Sequence, residues 1–189
     1  FPVTENAFDN TFNGGPQLAV NGVGVNYSNG CDIYVSRLSD DGGELLSSTF
    51  LGGTDNDGFN SSLSLRYNYA DQMRGEIDID SEGNCYIASS TFSNDFPIVN
   101  SLIQPANNGG QDGVLVKMDN SLETILWSSY WGGSSDDALY SLALDDDNNI
   151  YAAGGTSSTN LTTTATAYAS DYLGGSVDAF VTHFSNDGG

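Results

Sequence analysis

The stretch WSSYWGG at residues 127–133 repeats, with substitutions, the stretch LSSTFLGG at residues 46–53. The two stretches lie about eighty residues apart, and both end in a double glycine. Self-similarity at a fixed distance is the signature of a repeat architecture. The chain is therefore expected to be built from copies of one structural unit.

The similarity extends on both sides of these two stretches. The aligned segments are 31–59 with 111–139 and with the start of a third copy at 177–189, then 75–97 with 140–162, and finally 1–15 with 96–110 and, more weakly, with 161–175. Asp32 aligns with Asp112, and Asp57 aligns with Asp137. The first two copies therefore carry an aspartate at the same positions before and after the double glycine.

The alignment divides the chain into three units. The first unit is 1–95, with insertions near 16–30 and 60–74; the second unit is 96–160; the third is a truncated unit at 161–189. The complete second unit sets the repeat length at about 65 residues. We expect the three units to form one continuous structure.

Four short runs in each unit have the composition of β-strands. DIYVSRL, ELLSSTFL, EIDID and NCYIASS are rich in β-branched, aromatic and alternating residues, and strong turn formers separate them. In YSLALD, the alternation places Tyr140, Leu142 and Leu144 on one face of a strand. A repeated four-stranded antiparallel unit is the blade of a β-propeller. The prediction is an all-β chain of about three blades, part of a larger ring.

The tight turns between strands support this prediction. The turn at 80–84, DSEGN, carries Gly83 at a position that needs a positive φ, and the turn at 145–149, DDDNN, replaces this glycine with asparagine. Asparagine tolerates the left-handed region better than most other residues. Both turns are therefore predicted to close hairpins.

The repeated phrases resemble those of the bacterial SBBP (β-propeller) repeat family. The resemblance is carried by DAFVTHF (178–184), STFLGGTDND (48–57), SSYWGGSSDD (128–137), IDIDSEGNCYIASSTFSNDFP (77–97) and LALDDDNNIYAAGGTSS (142–158). It departs at the two insertions of the first unit and at NLTTTA, where the expected DFP is absent. The resemblance implies a β-propeller repeat module of a large exported bacterial protein, secreted or held at the cell surface.

Composition narrows the range of partners. Four basic residues oppose 25 acidic ones, and the net charge of −21 would repel nucleic acid and anionic membranes. The acidity suits a salty or extracellular setting, or the binding of divalent cations. No apolar run reaches the roughly 18 residues of a membrane span, and the first residues do not read as a signal peptide. We therefore expect a soluble, already processed chain without membrane insertion.

Few residues in the sequence are suited to catalysis. His183 is the only histidine and alternates with Thr182 and Phe184, which is typical of a plain strand residue, so neither a triad nor a zinc site is predicted. Acidic pairs are plentiful, but the sequence cannot place two of them at a set separation in a cleft. Cys31 and Cys85 are expected to be unpaired thiols, and the chain is predicted not to be an enzyme.

Two acidic turns are the candidate metal sites. They space side-chain oxygens two residues apart, as calcium loops do. The candidate ligands are Asp78, Asp80, Glu82, Asp145, Asp147 and Asn149. The closing bidentate glutamate of an EF-hand is absent, so two interpretations stay open: calcium as the one candidate cofactor, and solvated hairpin turns.

The insertion near 60–74 is the candidate binding loop. Arg66, Tyr67 and Tyr69 lie in it, and tyrosines with arginine are favoured contact residues on loops. The alternative is that these side chains fill a gap between blades.

Two functions are carried forward. The first is a non-enzymatic, secreted or cell-surface module for adhesion, display or the binding of a protein or glycan ligand. The second is a carbohydrate-active enzyme or lectin that uses acidic loops and tyrosines. About nine strands are counted, and the last, at 178–184, lacks the hairpin mate that follows the equivalent strand in the earlier copies. We therefore expect other repeats of a longer chain, or a second chain, to complete its sheet.

Overall fold

The computed structural model describes residues 1–20, 25–66 and 69–189, and almost all of its regular structure is β-strand. The strands are β1 (Leu18–Val20), β2 (Val25–Tyr27), β3 (Ile33–Leu38), β4 (Leu45–Leu51), β5 (Glu76–Ile79), β6 (Cys85–Thr91), β7 (Asp112–Met118), β8 (Ile125–Trp131), β9 (Asp137–Leu144), β10 (Ile150–Thr156) and β11 (Asp178–Phe184). Among the described residues there is one 3-10 helix, Tyr69–Met73, and no α-helix. The all-β class predicted from the sequence is confirmed.

The strands form antiparallel sheets in the orders β1-β2, β3-β4, β5-β6-β7-β8 and β11-β10-β9. The pair β1-β2 comes from the first insertion and was not among the nine strands counted from the sequence. The four-stranded sheet takes β5 and β6 from the first unit and β7 and β8 from the second. A sequence unit is therefore offset by two strands from a sheet: the second unit supplies β7 and β8 to this sheet and β9 and β10 to the next. The boundary near residue 95 lies between β6 and β7, inside a sheet.

The turns at 80–84 and 145–149 close hairpins, as predicted. Gly83 has φ 82° and Asn148 has φ 61°. The amide of the residue at each of these positions donates to the backbone carbonyl of the aspartate that opens the turn, Asp80 or Asp145. Asparagine can therefore stand where the first unit has glycine.

Two apolar layers hold three sheets face to face. The first layer lies between β3-β4 and the four-stranded sheet, and includes Val35, Leu51, Val114 and Val116. The second lies between the four-stranded sheet and β9-β10-β11. It is formed by Leu115, Trp127, Trp131, Leu139, Leu142, Ile150 and Phe184, among others. The inner strands β6 and β7 of the middle sheet are thus buried on both faces, which explains their apolar runs, whereas the edge strand β5 is largely exposed.

The predicted alternation in β9 is wrong at one residue. A β-bulge interrupts the pairing of β9 with β10: Gly154 pairs with Leu139, and Ala153 pairs with Ser141. The bulge turns Tyr140 away from the apolar layer that contains Leu142, and Leu139 takes its place there. A bulge changes which face a residue lies on without changing the residue pattern that predicts the strand.

Both cysteines are buried free thiols in different clusters. Cys31 packs with Phe59, whereas Cys85 lies in the first apolar layer. Burial raises the pKa of Cys31 to about 12 and that of Cys85 to about 11. Within the described ranges, no helix is long and apolar enough to cross a membrane.

Replacing Leu139 with alanine should destabilise the protein by about 2–5 kcal/mol, because the side chain is fully buried between two sheets that leave little room for relaxation. Leu102→Ala is the matched control, since Leu102 is 68% exposed. Urea unfolding followed by fluorescence measures both changes. Equal losses in the two variants would contradict the stacking described here.

Candidate functional site

A double glycine follows β4 and β8, and each stands between two aspartates. We call these arrangements the first carboxylate corner (Asp32, Gly52, Gly53, Asp57) and the second carboxylate corner (Asp112, Gly132, Gly133, Asp137). In the first, the Gly53 amide donates to Asp57 Oδ2 at 2.8 Å; in the second, the Gly133 amide donates to Asp137 Oδ2 at 2.7 Å. Two successive units thus build the same contact.

A serine from the end of each unit completes the corner. Ser93 Oγ donates to Asp57 Oδ2 at 2.9 Å, and Ser158 Oγ donates to Asp137 Oδ2 at 2.7 Å. Thr91 Oγ1 also donates to Asp57 Oδ1. The first corner therefore ties the loop after β4 to the end of β6, and the second ties the loop after β8 to the end of β10.

The other aspartate of each corner accepts from a backbone amide in the loop that precedes it. Asn13 donates to Asp32 Oδ2 at 2.7 Å, Asn108 donates to Asp112 Oδ2 at 2.9 Å, and Leu173 donates to Asp178 Oδ2 at 2.6 Å. The three donors occupy the same position of the aligned loops 1–15, 96–110 and 161–175. The third unit thus begins the same corner.

The glycines are required by these carboxylates. A β-carbon on Gly52 would stand 2.6 Å from Asp57 Oδ2, and one on Gly132 would stand 2.6 Å from Asp112 Cγ and 2.9 Å from Asp137 Oδ2. Real β-carbons do not approach other atoms this closely. The repeated double glycine is therefore required by the two carboxylates that pack against it.

Burial dominates the electrostatics of the corners. It raises the pKa of Asp57 to about 7 and that of Asp112 to about 6, and it raises the pKa of Asp137 as well. Asp112 Oδ1 is buried and has no hydrogen-bond partner. These three aspartates are fully buried, so they stabilise the fold and are out of reach of a substrate.

The four corner aspartates are not among the predicted site residues. Asp32 aligns with Asp112 and Asp57 with Asp137, but acidic residues beside glycines are also common in solvated turns. The signal that could have found them is that the aspartates keep their position in each copy while the intervening turn residues change.

A second repeated contact joins neighbouring sheets through a basic residue. Arg37 of β3 donates from Nη1 to the backbone carbonyl of Asn120 at 3.0 Å, and Lys117 of β7 donates from Nζ to Asn186 Oδ1 at 2.6 Å. Arg37 and Lys117 are equivalent in the alignment, as are Asn120 and Asn186. We call these contacts the basic clasps. Two of the four basic residues are used in this way.

The second clasp is embedded in a polar and aromatic network. The Lys117 ammonium lies 4.9 Å from the centre of the Tyr86 ring and 4.0 Å from Asp80 Oδ2. Tyr86 Oη donates to Asn186 Oδ1 at 2.7 Å, and the Trp127 indole N–H donates to the Asn186 carbonyl at 2.9 Å. The turn at 185–189 is therefore fixed against the middle sheet.

A shallow cavity, wide open to solvent, lies beside this network. It has a volume of about 640 Å³ and is lined by Asn100, Lys117, Leu126, Trp127, Asn149, Ser185, Asn186 and Asp187. A smaller cavity of about 270 Å³ lies in the equivalent place between the first and second units and includes Arg37 and Leu46 in its lining. Each clasp thus lies at a concave surface between two sheets.

Of the predicted metal ligands, the two turn-opening aspartates have their oxygens engaged by their own turns. Asp80 Oδ1 accepts from the amides of Glu82 and Asn84, at 3.0 and 2.9 Å. Asp145 Oδ1 accepts in the same way from Asp147 and Asn149, at 2.9 and 2.8 Å. These hydrogen bonds hold the hairpins.

The side-chain oxygens of Asp78, Glu82 and Asn149 accept hydrogen bonds of their own. Asp78 Oδ2 accepts from the Leu144 amide at 3.2 Å, which ties β5 to β9. Glu82 Oε2 accepts from Asn84 Nδ2 at 3.4 Å, and Asn149 Oδ1 accepts from the Asn186 amide. In the part of the chain that the structure describes, no group of three or more His, Cys, Asp or Glu side chains is placed to hold a metal ion. Calcium binding stays a prediction.

The inserted stretch near 60–74 is partly packed into the protein. Tyr140 Oη donates to the Leu65 carbonyl at 2.6 Å, and Gln111 Nε2 donates to Asn60 Oδ1 at 3.0 Å. Of the predicted binding residues, Arg66 is partly buried, Tyr69 begins the 3-10 helix, and Tyr67 lies outside the described residues. Their role in binding stays a prediction.

His183 lies in β11, as predicted, and makes local contacts. Its ring stacks on Tyr151 with centroids 4.4 Å apart, and its Nε2 lies 3.9 Å from Asp145 Oδ2. It occupies the alignment position of Arg37 and Lys117.

Comparison with known proteins adds no relative. None of the protein-family models compared with the chain matches it, and the comparison with curated proteins gives no match. The resemblance to the SBBP repeats stays a resemblance. A functional proposal therefore depends on the corners, the clasps and the cavities.

Gly132→Ala should destabilise the protein by about 1–3 kcal/mol, because the new methyl group would force apart the two carboxylates of the second corner. Gly43→Ala is the control, since its nearest neighbour would be Asp41 Oδ1 at 3.3 Å in an exposed turn. Chemical unfolding of both variants provides the measurement. A neutral Gly132→Ala would refute the steric role of the double glycine.

The corners should make stability fall as pH rises from about 4 to about 7, the range between the ordinary pKa of an aspartate and the raised folded-state values. The folded-state pKa values of Asp57 and Asp112, about 7 and about 6, lie above the ordinary 3.8, so the stabilising protonated form is lost as pH passes through them. Free energies of unfolding at several pH values test this. Asp57→Asn should flatten the slope, whereas Asp40→Asn, at an exposed turn, should leave it unchanged. The same slope in both variants would contradict the assignment.

Proposed function

We propose that the chain is a non-enzymatic β-propeller repeat module that binds a protein or glycan ligand outside the cell. The observation that carries the proposal is the repetition of the carboxylate corner, complete in the first two units and begun in the third by Asp178. A contact that recurs where neighbouring sheets meet has a structural role. Because its residues stabilise the fold, the contact favours a scaffold over a single catalytic centre.

The stacking of the sheets supports the propeller arrangement. Propeller blades are four-stranded antiparallel sheets that bury both faces against their neighbours. The middle sheet, β5-β6-β7-β8, has four antiparallel strands and an apolar layer on each face. On this proposal β3-β4 and β9-β10-β11 are parts of the two adjacent blades, and the ring includes further blades.

The charge of the chain supports a location outside the cell. The net charge is −21, and both positive side chains of the clasps are already engaged within the fold. A surface with this excess of carboxylates stays soluble in salt and is repelled by nucleic acid. Together with the resemblance to exported repeat proteins, it favours secretion or display on a bacterial surface.

The cavity beside the second clasp is the proposed ligand site. Its lining combines the amide side chains of Asn100 and Asn149 with the exposed apolar side chain of Leu126, whereas Lys117 and Trp127 lie beneath them and are already engaged by Asn186. Amide donors and acceptors beside apolar surface suit a glycan or an extended peptide. This observation also favours the lectin alternative, in which the same cavity recognises sugar without cleaving it.

The enzyme alternative would need an acid within reach of a substrate. Asp57 and Asp112 have the raised pKa values expected of general acids, but both are fully buried at the corners. The exposed turn carboxylates are the remaining candidates, and only an activity test can assign them that role.

A glycan and peptide array followed by turnover assays tests the proposal. We expect binding without cleavage, weakened at least about tenfold by Leu126→Arg, which would crowd the cavity. Ile79→Arg is the matched control, since Ile79 is 64% exposed and lies outside the cavity lining. Sugar cleavage abolished by changing one carboxylate would overturn the proposal in favour of the enzyme.

A further inference from the structure

The cavity at the first clasp differs in chemistry from its equivalent at the second clasp. It has a volume of about 270 Å³, is half open to solvent, and lies between the sheet β3-β4 and the turn that joins β7 to β8. Cavities that hold small ligands have volumes of roughly 300–1,000 Å³. The first cavity is near the lower end of this range and therefore suits a small ligand.

One substitution between the repeats sets the first cavity apart. Ser47 stands at the alignment position of Trp127. At the second clasp, the Trp127 indole N–H donates to the Asn186 carbonyl at 2.9 Å. At the first clasp, the equivalent Asn120 carbonyl accepts from Arg37 Nη1 at 3.0 Å instead. The arginine thus satisfies the carbonyl without a tryptophan, and the smaller serine leaves space in the cavity.

The serine contributes a hydroxyl that no protein group satisfies. Ser47 lines the cavity and is 7% exposed, and its Oγ has no hydrogen-bond partner among the described residues. A buried polar group without a partner is unfavourable. An oxygen atom of a ligand seated against Ser47 would provide the missing partner.

Side chains of both charges line the same cavity. Glu5 comes from the first unit, Glu123 from the second, and Arg37 from β3, and all three are exposed. None of the three takes part in an ion pair within the part of the chain that the structure describes. The carboxylates offer hydrogen-bond acceptors, and the guanidinium has N–H donors besides the one that contacts the Asn120 carbonyl.

Amide groups and one apolar side chain complete the lining. Asn6 comes from the first unit and Asn120 from the second, and a side-chain amide carries both a donor and an acceptor. Leu46 is 48% exposed and lines the same cavity. Donors, acceptors and an apolar surface are thus combined in a small volume.

A neutral sugar ring has the groups that this lining complements. Each sugar hydroxyl both donates and accepts hydrogen bonds, so it suits carboxylate, amide and guanidinium partners alike, and the C–H groups of the ring suit Leu46. An anionic sugar is disfavoured, because Glu5 and Glu123 lie in the lining and the chain has a net charge of −21. A metal ion is disfavoured by the positive charge of Arg37.

We propose that the cavity between the first two units binds one neutral sugar ring, a hexose, through hydrogen bonds to Glu5, Glu123 and Arg37 and apolar contact with Leu46. The inference goes beyond the proposed function, since it assigns a second site. The linings of the two cavities share no residue, so the two sites can be tested separately.

Titration of the whole chain with glucose, galactose and mannose, followed by saturation-transfer NMR and calorimetry, tests the site. We expect saturable binding of at least one of these hexoses. Glucuronate should bind at least about tenfold more weakly, because its carboxylate would approach the two glutamates.

Ser47→Trp places in the first cavity the residue that the equivalent position already accommodates. By filling the cavity, it should weaken hexose binding at least about tenfold. Glu123→Ala provides a second variant at an exposed residue, and it should weaken binding at least about threefold by removing a charged acceptor. Glu44→Ala is the matched control, since Glu44 is exposed and lies outside the lining.

Three results would overturn the proposal: no saturable binding of any of the hexoses, equal binding by Glu123→Ala and Glu44→Ala, or equal binding of hexose and glucuronate. Leu126→Arg separates the two sites, because it crowds the cavity at the second clasp and should leave hexose binding at the first unchanged. Loss of hexose binding in Leu126→Arg would place the sugar in the second cavity and contradict the inference. Loss of array binding in Leu126→Arg alone concerns the proposed function and leaves the hexose result to stand by itself.

Discussion

The fold depends on carboxylates that are taken out of water at the ends of strands. Transfer of an ionised carboxylate to the interior is unfavourable unless hydrogen bonds or protonation compensate it. At the first corner, Asp57 accepts from the Gly53 amide, Ser93 and Thr91, so the loop after β4 and the end of β6 meet at one side chain. The same compensation recurs at Asp137 through Gly133 and Ser158. Strand ends that would otherwise be free to splay are fixed by these contacts.

The corners use negatively charged side chains, and the clasps use the positively charged side chains of Arg37 and Lys117. A protein with 25 acidic and four basic residues has few cations to place, and it uses two of them at equivalent positions between sheets. Lys117 is nearly buried and lies over Tyr86, so its charge is met by an aromatic face, an amide oxygen and Asp80 together. The apolar layers supply most of the attraction between sheets, and the corners and clasps fix how the sheets are aligned.

The sequence repeats make the strands and turns predictable. They do not predict how the strands register against each other or which side chains meet. The spacing of strand and turn residues predicted the hairpins, including the positive φ of the asparagine turn at Asn148. It could not predict the bulge that exchanges Tyr140 for Leu139, because a bulge depends on how β9 fits its neighbours. The candidate calcium sites are predicted from the spacing of side-chain oxygens alone, whereas the hydrogen bonds to the oxygens of Asp80 and Asp145 are a property of the folded loop. The corner aspartates recur at equivalent positions in the sequence, but their proximity to each other on the two sides of a glycine is a property of the folded chain.

The two-strand offset between sequence unit and sheet has a consequence for how such a chain could grow. Since β6 of one unit pairs with β7 of the next, every junction between units is held by a continuous hydrogen-bond ladder. Duplication of any stretch of about 65 residues, wherever its ends fall, inserts one whole sheet and restores the same ladder on both sides. The offset therefore makes the number of units free to change during evolution, while the length of a unit can change in its loops, as the two insertions of the first unit do without breaking the ladders of β3-β4 and β5-β6.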